Sequence, residues 1–202
     1  MFIGRERELA SLKEFYDKDG IGMTVIYGRR RIGKSTLIAE FVKDKKTIFY
    51  TATKVGKTRN LELFSRQVVD LFMPGMENIS FGTLEAVFDF IDKNIGDEKI
   101  VLVIDELPYW AEKDEALLSV LQKYIDTVWN DKNLKIILCG SALSFMEKKV
   151  LSEKSPLFGG AILKLNWRRL TIWTQQNLFQ IIRTKIRQSV MELPAVLRSI
   201  FL

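Results

Sequence analysis

The stretch that most constrains this chain is Met23 to Ser35, which reads MTVIYGRRRIGKS. Val25, Ile26 and Tyr27 favour a strand and stop at Gly28; after Gly33, Lys34 and Ser35 the helical pattern TLIAEFV begins. Strand, glycine loop and helix, spaced G-x-x-x-x-G-K-S, predict a loop whose backbone N–H groups turn inward around phosphate oxygens while the helix N-terminus faces the same anion. Gly28 and Gly33 supply the backbone freedom. Lys34 is expected to bridge the β- and γ-phosphates as a point charge, and the Ser35 hydroxyl to join the coordination sphere of Mg²⁺. The candidate nucleotide cradle is therefore Gly28, Arg29, Arg30, Arg31, Ile32, Gly33, Lys34, Ser35 and Thr36. A chance glycine turn is the alternative, and the strand-to-helix context argues against it.

The second landmark is Lys99 to Glu106, KIVLVIDE. Five consecutive apolar residues predict a strand buried on both faces, as in parallel α/β sheets. It ends in two acids. Downstream of a phosphate loop, Asp105 is the expected Mg²⁺ ligand, directly or through water, and Glu106 the group that orients or deprotonates the attacking water. Taken alone, the same segment reads as a strand end with solvated acids. A third buried strand, Leu134 to Gly140, is followed by Ser141. That hydroxyl either lies near the γ-phosphate and senses its loss, or caps the helix LSFMEKKV that follows.

Between the landmarks the chain reads as a strand at 47–53 and amphipathic helices at 61–72, 80–95 and 117–129. Leu9, Leu12 and Phe15 share a helical face ahead of the first strand. Arg5 and Glu6, before them, can stand near a nucleotide base or form a solvated first turn. No histidine and a single cysteine exclude a Ser-His-Asp triad and leave no ligand set for zinc. Cys139, inside the apolar run IILCG, reads as a reduced, buried small residue. No apolar run reaches membrane-span length and the N-terminus lacks a secretory signal, so a cytoplasmic, soluble protein is expected.

The net charge of +6 is unevenly placed. The first 163 residues are balanced, and the whole excess comes from Lys164, Arg168, Arg169, Arg183, Lys185, Arg187 and Arg198 set against Glu192 alone. Two regions are expected: a core at 1–163 and a basic C-terminal tail at 164–202. The tail, with Trp167 and Trp173 for stacking, admits nucleic-acid binding; affinity that falls steeply with salt and vanishes on deletion after Gly160 is the test.

FIGRERELASL, VIYGRRRIGKS, VLVIDELPYW and ILCGSALSFMEKKVLSEKSPLFG, in that order, resemble the archaeal-type ATPase family of the signal-transduction (STAND) P-loop ATPases, relatives of AAA+ and origin-recognition ATPases. The resemblance covers roughly the first 160 residues. It implies a three-layer α/β sandwich with a mainly parallel sheet in the order 5-1-4-3-2, Walker A and Walker B sites for ATP and Mg, Gly4-Arg5-Glu6 against the nucleotide, and Ser141 at the sensor position. Arg29, Arg30 and Arg31 fill the loop as in the family and are candidates for phosphate or partner contacts. After Gly159 the sequence departs from the family's lid. A basic partner-binding segment, a divergent lid and a frame-shifted end are the alternatives; the last is favoured because Ile172-Trp-Thr-Gln-Gln-Asn, back-translated and read two nucleotides out of frame, permits a lid-like Leu-Asp-Ser-Ala-Lys.

The expected function is an Mg-dependent ATPase core of slow turnover, because no arginine finger can be assigned. The alternatives are a nucleotide-operated switch that signals through a protein partner with little hydrolysis, and DNA binding through the tail.

Overall fold

The uninterrupted apolar run ending at Ile104 needs cover on both faces, and it lies inside a parallel sheet with neighbours on either side. The computed structural model describes residues 5–76 and 78–157, and the backbone of 162–166. The strands are β1 (Gly22–Tyr27), β2 (Thr47–Thr51), β3 (Ile100–Asp105), β4 (Leu134–Gly140) and β5 (Ile162–Asn166). Their order is β2-β3-β4-β1-β5, all pairs parallel, which read from the other edge is the expected 5-1-4-3-2. By compactness residues 7–168 form one unit, and residues 1–6 with 169–202 another. Gly4 and, of the tail, residues 167–202 with Trp167 and Trp173 lie outside the described residues.

Side chains two apart along a strand share a face. Met23 and Val25 of β1, Ile100, Leu102 and Ile104 of β3, and Leu134, Ile136 and Leu138 of β4 join one apolar cluster. It includes Phe64 and Val68 of α3 (Lys57–Phe72), Val87, Phe88 and Ile91 of α4 (Leu84–Ile95), and Leu117 and Leu121 of α6 (Ala116–Lys123). The alternate residues Ile26, Val101, Val103, Ile137 and Cys139 are equally buried but outside that cluster. Leu12 and Phe15 of α1 (Glu6–Asp17) and Leu37, Ile38 and Phe41 of α2 (Lys34–Val42) are the buried helical residues left to cover this second face. Tyr16 and Phe41 meet edge to face at 6.1 Å, joining α1 to α2. The result is the three-layer sandwich.

Several boundaries differ from the periodicity. α3 starts at Lys57, four residues before the apolar pattern, because Asn60 is wholly buried and fastened to the preceding loop. α4 starts at Leu84 rather than Ser80: the Thr83 hydroxyl accepts from the Ala86 N–H and sets the N-cap there. The helix expected over 117–129 is α6 continued by a π turn at Tyr124–Val128. α5 (Pro108–Ala111) and α7 (Leu143–Phe145), the latter also continued by a π turn, complete the order. No helix among the described residues is long and apolar enough to cross a membrane.

Candidate functional site

Because β4 pairs with β1 on one side and β3 on the other, three loops converge at the C-terminal ends of adjacent strands. The Gly28 N–H reaches the Gly140 carbonyl at 3.4 Å, and the Leu107 N–H donates to the Cys139 carbonyl at 2.9 Å. The phosphate-type loop and the acidic strand end are thereby tied to the tip of β4. Gly140 is the residue this junction allows: a Cβ there would stand 2.6 Å from Met146 Sδ and 2.9 Å from Pro108 Cδ.

The loop from Gly28 to Gly33 ends in Gly33 at φ +88°, which serves as the N-cap of α2. Lys34, the first residue of α2, is 5% exposed. Its ammonium folds back over the loop and donates to the Gly28 carbonyl at 3.0 Å and the Arg29 carbonyl at 2.9 Å. Two of three N–H donors are thus used in holding the loop's own curvature. Ser35, Thr36, Arg29, Arg30 and Arg31 are exposed, and Ile32 and Gly33 partly so.

Asp105 closes β3 on the face opposite Ile104 and is 3% exposed. Its Oδ1 accepts from the Glu106 N–H at 2.9 Å. One step beyond the Ile104–Leu138 register stands Cys139, whose thiol bonds to the Asp105 carboxyl. Burial first, and then the charge and hydrogen bond of Asp105, push that thiol well above its usual range, so it stays protonated. Cys139 is free and buried, as its place in an apolar run implies, and nothing in the sequence signals that it lies against the acid.

Glu106 leaves the strand with φ +50°. Among the described residues only Arg31, at φ +59°, shares that region without being glycine. Such a conformation costs about 1–2 kcal/mol, and both instances fall at this site, where strain is commonly stored. Ser141 does not cap the helix after it, where Ala142 holds the N-cap position without a side-chain bond. Instead its hydroxyl donates to Glu106 Oε2 at 2.8 Å, and its N–H approaches the same oxygen at 3.4 Å. Arg30 Nε donates to the Ser141 hydroxyl at 3.3 Å.

Two residues to which the motifs give no role complete the surroundings. The Tyr109 ring lies 5.5 Å from the Arg30 guanidinium carbon and 5.3 Å from Lys54 Nζ. Lys54 is placed by a clamp: Asn60 accepts from the Tyr50 hydroxyl at 2.6 Å and the Thr53 N–H at 3.1 Å, and donates to the Thr53 and Val55 carbonyls, each at 3.1 Å. The Ala52 N–H donates to the Asp105 carbonyl at 2.8 Å, bringing that loop alongside β3. Asn60 lies one residue ahead of the apolar pattern at 61–72, and nothing in the sequence signals this clamp. Arg5, the remaining candidate, is buried, and by compactness it groups with the unit that holds residues 1–6.

A family model for an ATPase domain predominantly from Archaea matches residues 2–195. An uncharacterized protein of Methanocaldococcus jannaschii is 34% identical over 159 residues, 79% of this chain and 34% of the relative. An uncharacterized ATP-binding protein of the same organism is 39% identical over 46 residues, 23% of this chain and 78% of that protein. The chain thus spans about a third of the length of the first of these relatives. Among solved structures, a Walker-type ATPase of Pyrococcus abyssi aligns over 96% of this chain and 64% of its own, with TM-score 0.58 and 19% identity. The Aeropyrum pernix ORC1 protein in complex with DNA aligns over 92% and 50%, with TM-score 0.64 and 15% identity. The family match spans Gly159 and Gly160, and β5 pairs with β1 beyond them. With the strand order, the glycine loop and the acidic strand end in agreement, the chain belongs to the family of ATPase domains found predominantly in Archaea.

Proposed function

We propose that the chain binds Mg-ATP in the Gly28–Thr36 loop and hydrolyses it slowly to ADP and phosphate. What supports this reading is the meeting of Lys34, Asp105 and the Glu106–Ser141 pair at three neighbouring strand ends. In-line attack of water on a γ-phosphate needs positioned charge more than covalent help. Lys34 has its third N–H left for a phosphate oxygen, and the first turn of α2 offers backbone N–H groups to the same anion. Glu106 Oε2 is held by Ser141, while Oε1 has no partner among the described residues and is the atom to orient a water and take its proton.

The donor set suits Mg²⁺: a hard hydroxyl from Ser35 and one carboxylate from Asp105, the latter already oriented by the Glu106 N–H. No cluster of three His, Cys, Asp or Glu side chains occurs among the described residues, and an ion that completes its shell with water and phosphate needs none. Bound there, Mg²⁺ would neutralise charge developing on the phosphate oxygens.

Mg-ATP binding and phosphate release by the full chain test the reading. Lys34→Met removes a charge-assisted hydrogen bond worth roughly 1.5–3 kcal/mol, so the Kd for Mg-ATP is expected to rise about ten- to a hundred-fold. An unchanged Kd would remove Lys34 from the phosphate site. A second reading, a nucleotide-operated switch with little turnover, is favoured by the double hold of Ser141 on Glu106. Binding without phosphate release from the parent would select it. Nucleic acid remains a partner proposal resting on the composition of the residues from Lys164 onward.

A further inference from the structure

Ser141 has a single hydroxyl proton, and it is committed to Glu106 Oε2 at 2.8 Å. Its lone pair is what receives the Arg30 Nε–H at 3.3 Å. The bonds therefore run in one direction, from a fixed cation through a hydroxyl to a carboxylate, and each polarises the next. Arg30 is anchored at a second point, its guanidinium 5.5 Å from the centre of the Tyr109 ring. Tyr109 is itself joined to the acid's turn, its N–H donating to the Glu106 carbonyl at 3.0 Å. Neither Arg30 nor Lys54, the other cation on that ring, pairs with a carboxylate among the described residues. An arginine in an exposed loop would otherwise be free to sample many rotamers; here two contacts hold it across the mouth of the site.

We propose that Arg30 is a positioning residue for Glu106, acting through Ser141 and held in place by Tyr109, rather than a direct phosphate ligand. The proposal rests on the hydrolytic reading for its activity test. The loop that surrounds the phosphates and the acid that faces the water thereby share one hydrogen-bonded line, so displacement of the loop alters the acid. Lysine cannot substitute. It keeps the charge and the ring contact but has no planar Nε–H beside a second anchored nitrogen.

The experiment compares the parent chain with Arg30→Lys, Arg30→Met, Ser141→Ala and the Arg30→Met/Ser141→Ala double variant. Phosphate release, the Kd for Mg-ATP and the ¹³C resonance of the Glu106 side-chain carboxyl are followed, the last assigned by its absence from Glu106→Gln. Loss of one such bond predicts a kcat lower by about ten-fold in Arg30→Lys and Arg30→Met alike. Kd is expected to stay within about two-fold in Arg30→Lys, since charge is retained, and the double variant to be no slower than Ser141→Ala. The Glu106 resonance is expected to move in both single Arg30 variants. Full rescue by lysine, or losses that multiply in the double variant, would overturn the proposal in favour of a direct phosphate contact. If the parent releases no phosphate, the hydrolytic reading fails by itself; the carboxyl resonance then decides, and one unmoved by Arg30→Lys ends the positioning role. Tyr109→Leu, which leaves Arg30 in the chain without its platform, is expected to shift that resonance the same way.

Discussion

Glu106→Gln is expected to bind Mg-ATP as the parent does and to release phosphate at least about a hundred-fold more slowly, the lower range of general-base contributions. The amide retains an oxygen to accept from the Ser141 hydroxyl, now at 2.8 Å from Oε2, so the turn keeps its shape while the proton acceptor is lost. Steady-state phosphate release beside a binding isotherm checks both halves. Equal rates in parent and variant would take the water-activating role away from this residue. Glu106→Gly adds a second arm. At φ +50° a glycine is unstrained where glutamate is not. The glycine variant is expected to lose turnover without losing stability in denaturant, because relief of backbone strain offsets its added chain entropy.

The second large effect is on the core behind the site. Trp110, in the helix that follows the acidic turn, is completely buried, its ring 5.5 Å from Tyr50 and 5.4 Å from Phe64. Trp110→Ala empties that space and is expected to cost about 3–5 kcal/mol of unfolding free energy. Trp110→Phe is expected to cost far less: it keeps aromatic contacts and removes an indole N–H that has no partner among the described residues. Urea titration of the three chains gives both differences. A loss in Trp110→Ala no greater than in Trp110→Phe would mean that the cluster collapses around the missing ring. Tyr50 is also the donor to Asn60, so the alanine variant is expected to loosen the Lys54 loop.

Much of this was legible in the residues. β4 has the boundaries that its apolar run implies, and the glycine loop lies between a strand and a helix as its spacing requires. These are local signals: backbone freedom at Gly33, burial of an apolar run on both faces, and a lysine at the first turn of a helix depend on neighbours close in sequence. The strand order came from the resemblance of four motifs together, not from any one segment. Ser141 shows where the residues stopped deciding. A serine before a short helix is equally a cap and a site residue by composition, and the choice fell to a glutamate 35 positions away.

The sequence by itself determined the α/β class, the phosphate-type loop and the two acids that end β3, because chain geometry and the energetics of burial act at short range. Only the tertiary structure decided that Glu106 would leave its strand in a strained turn, that Cys139 would lie against Asp105, and that Arg30 would reach Ser141 across 111 positions. Those pairings exist because β4 enters the sheet between β1 and β3. No periodicity in the chain encodes which strand tips become neighbours; packing of the whole sheet does.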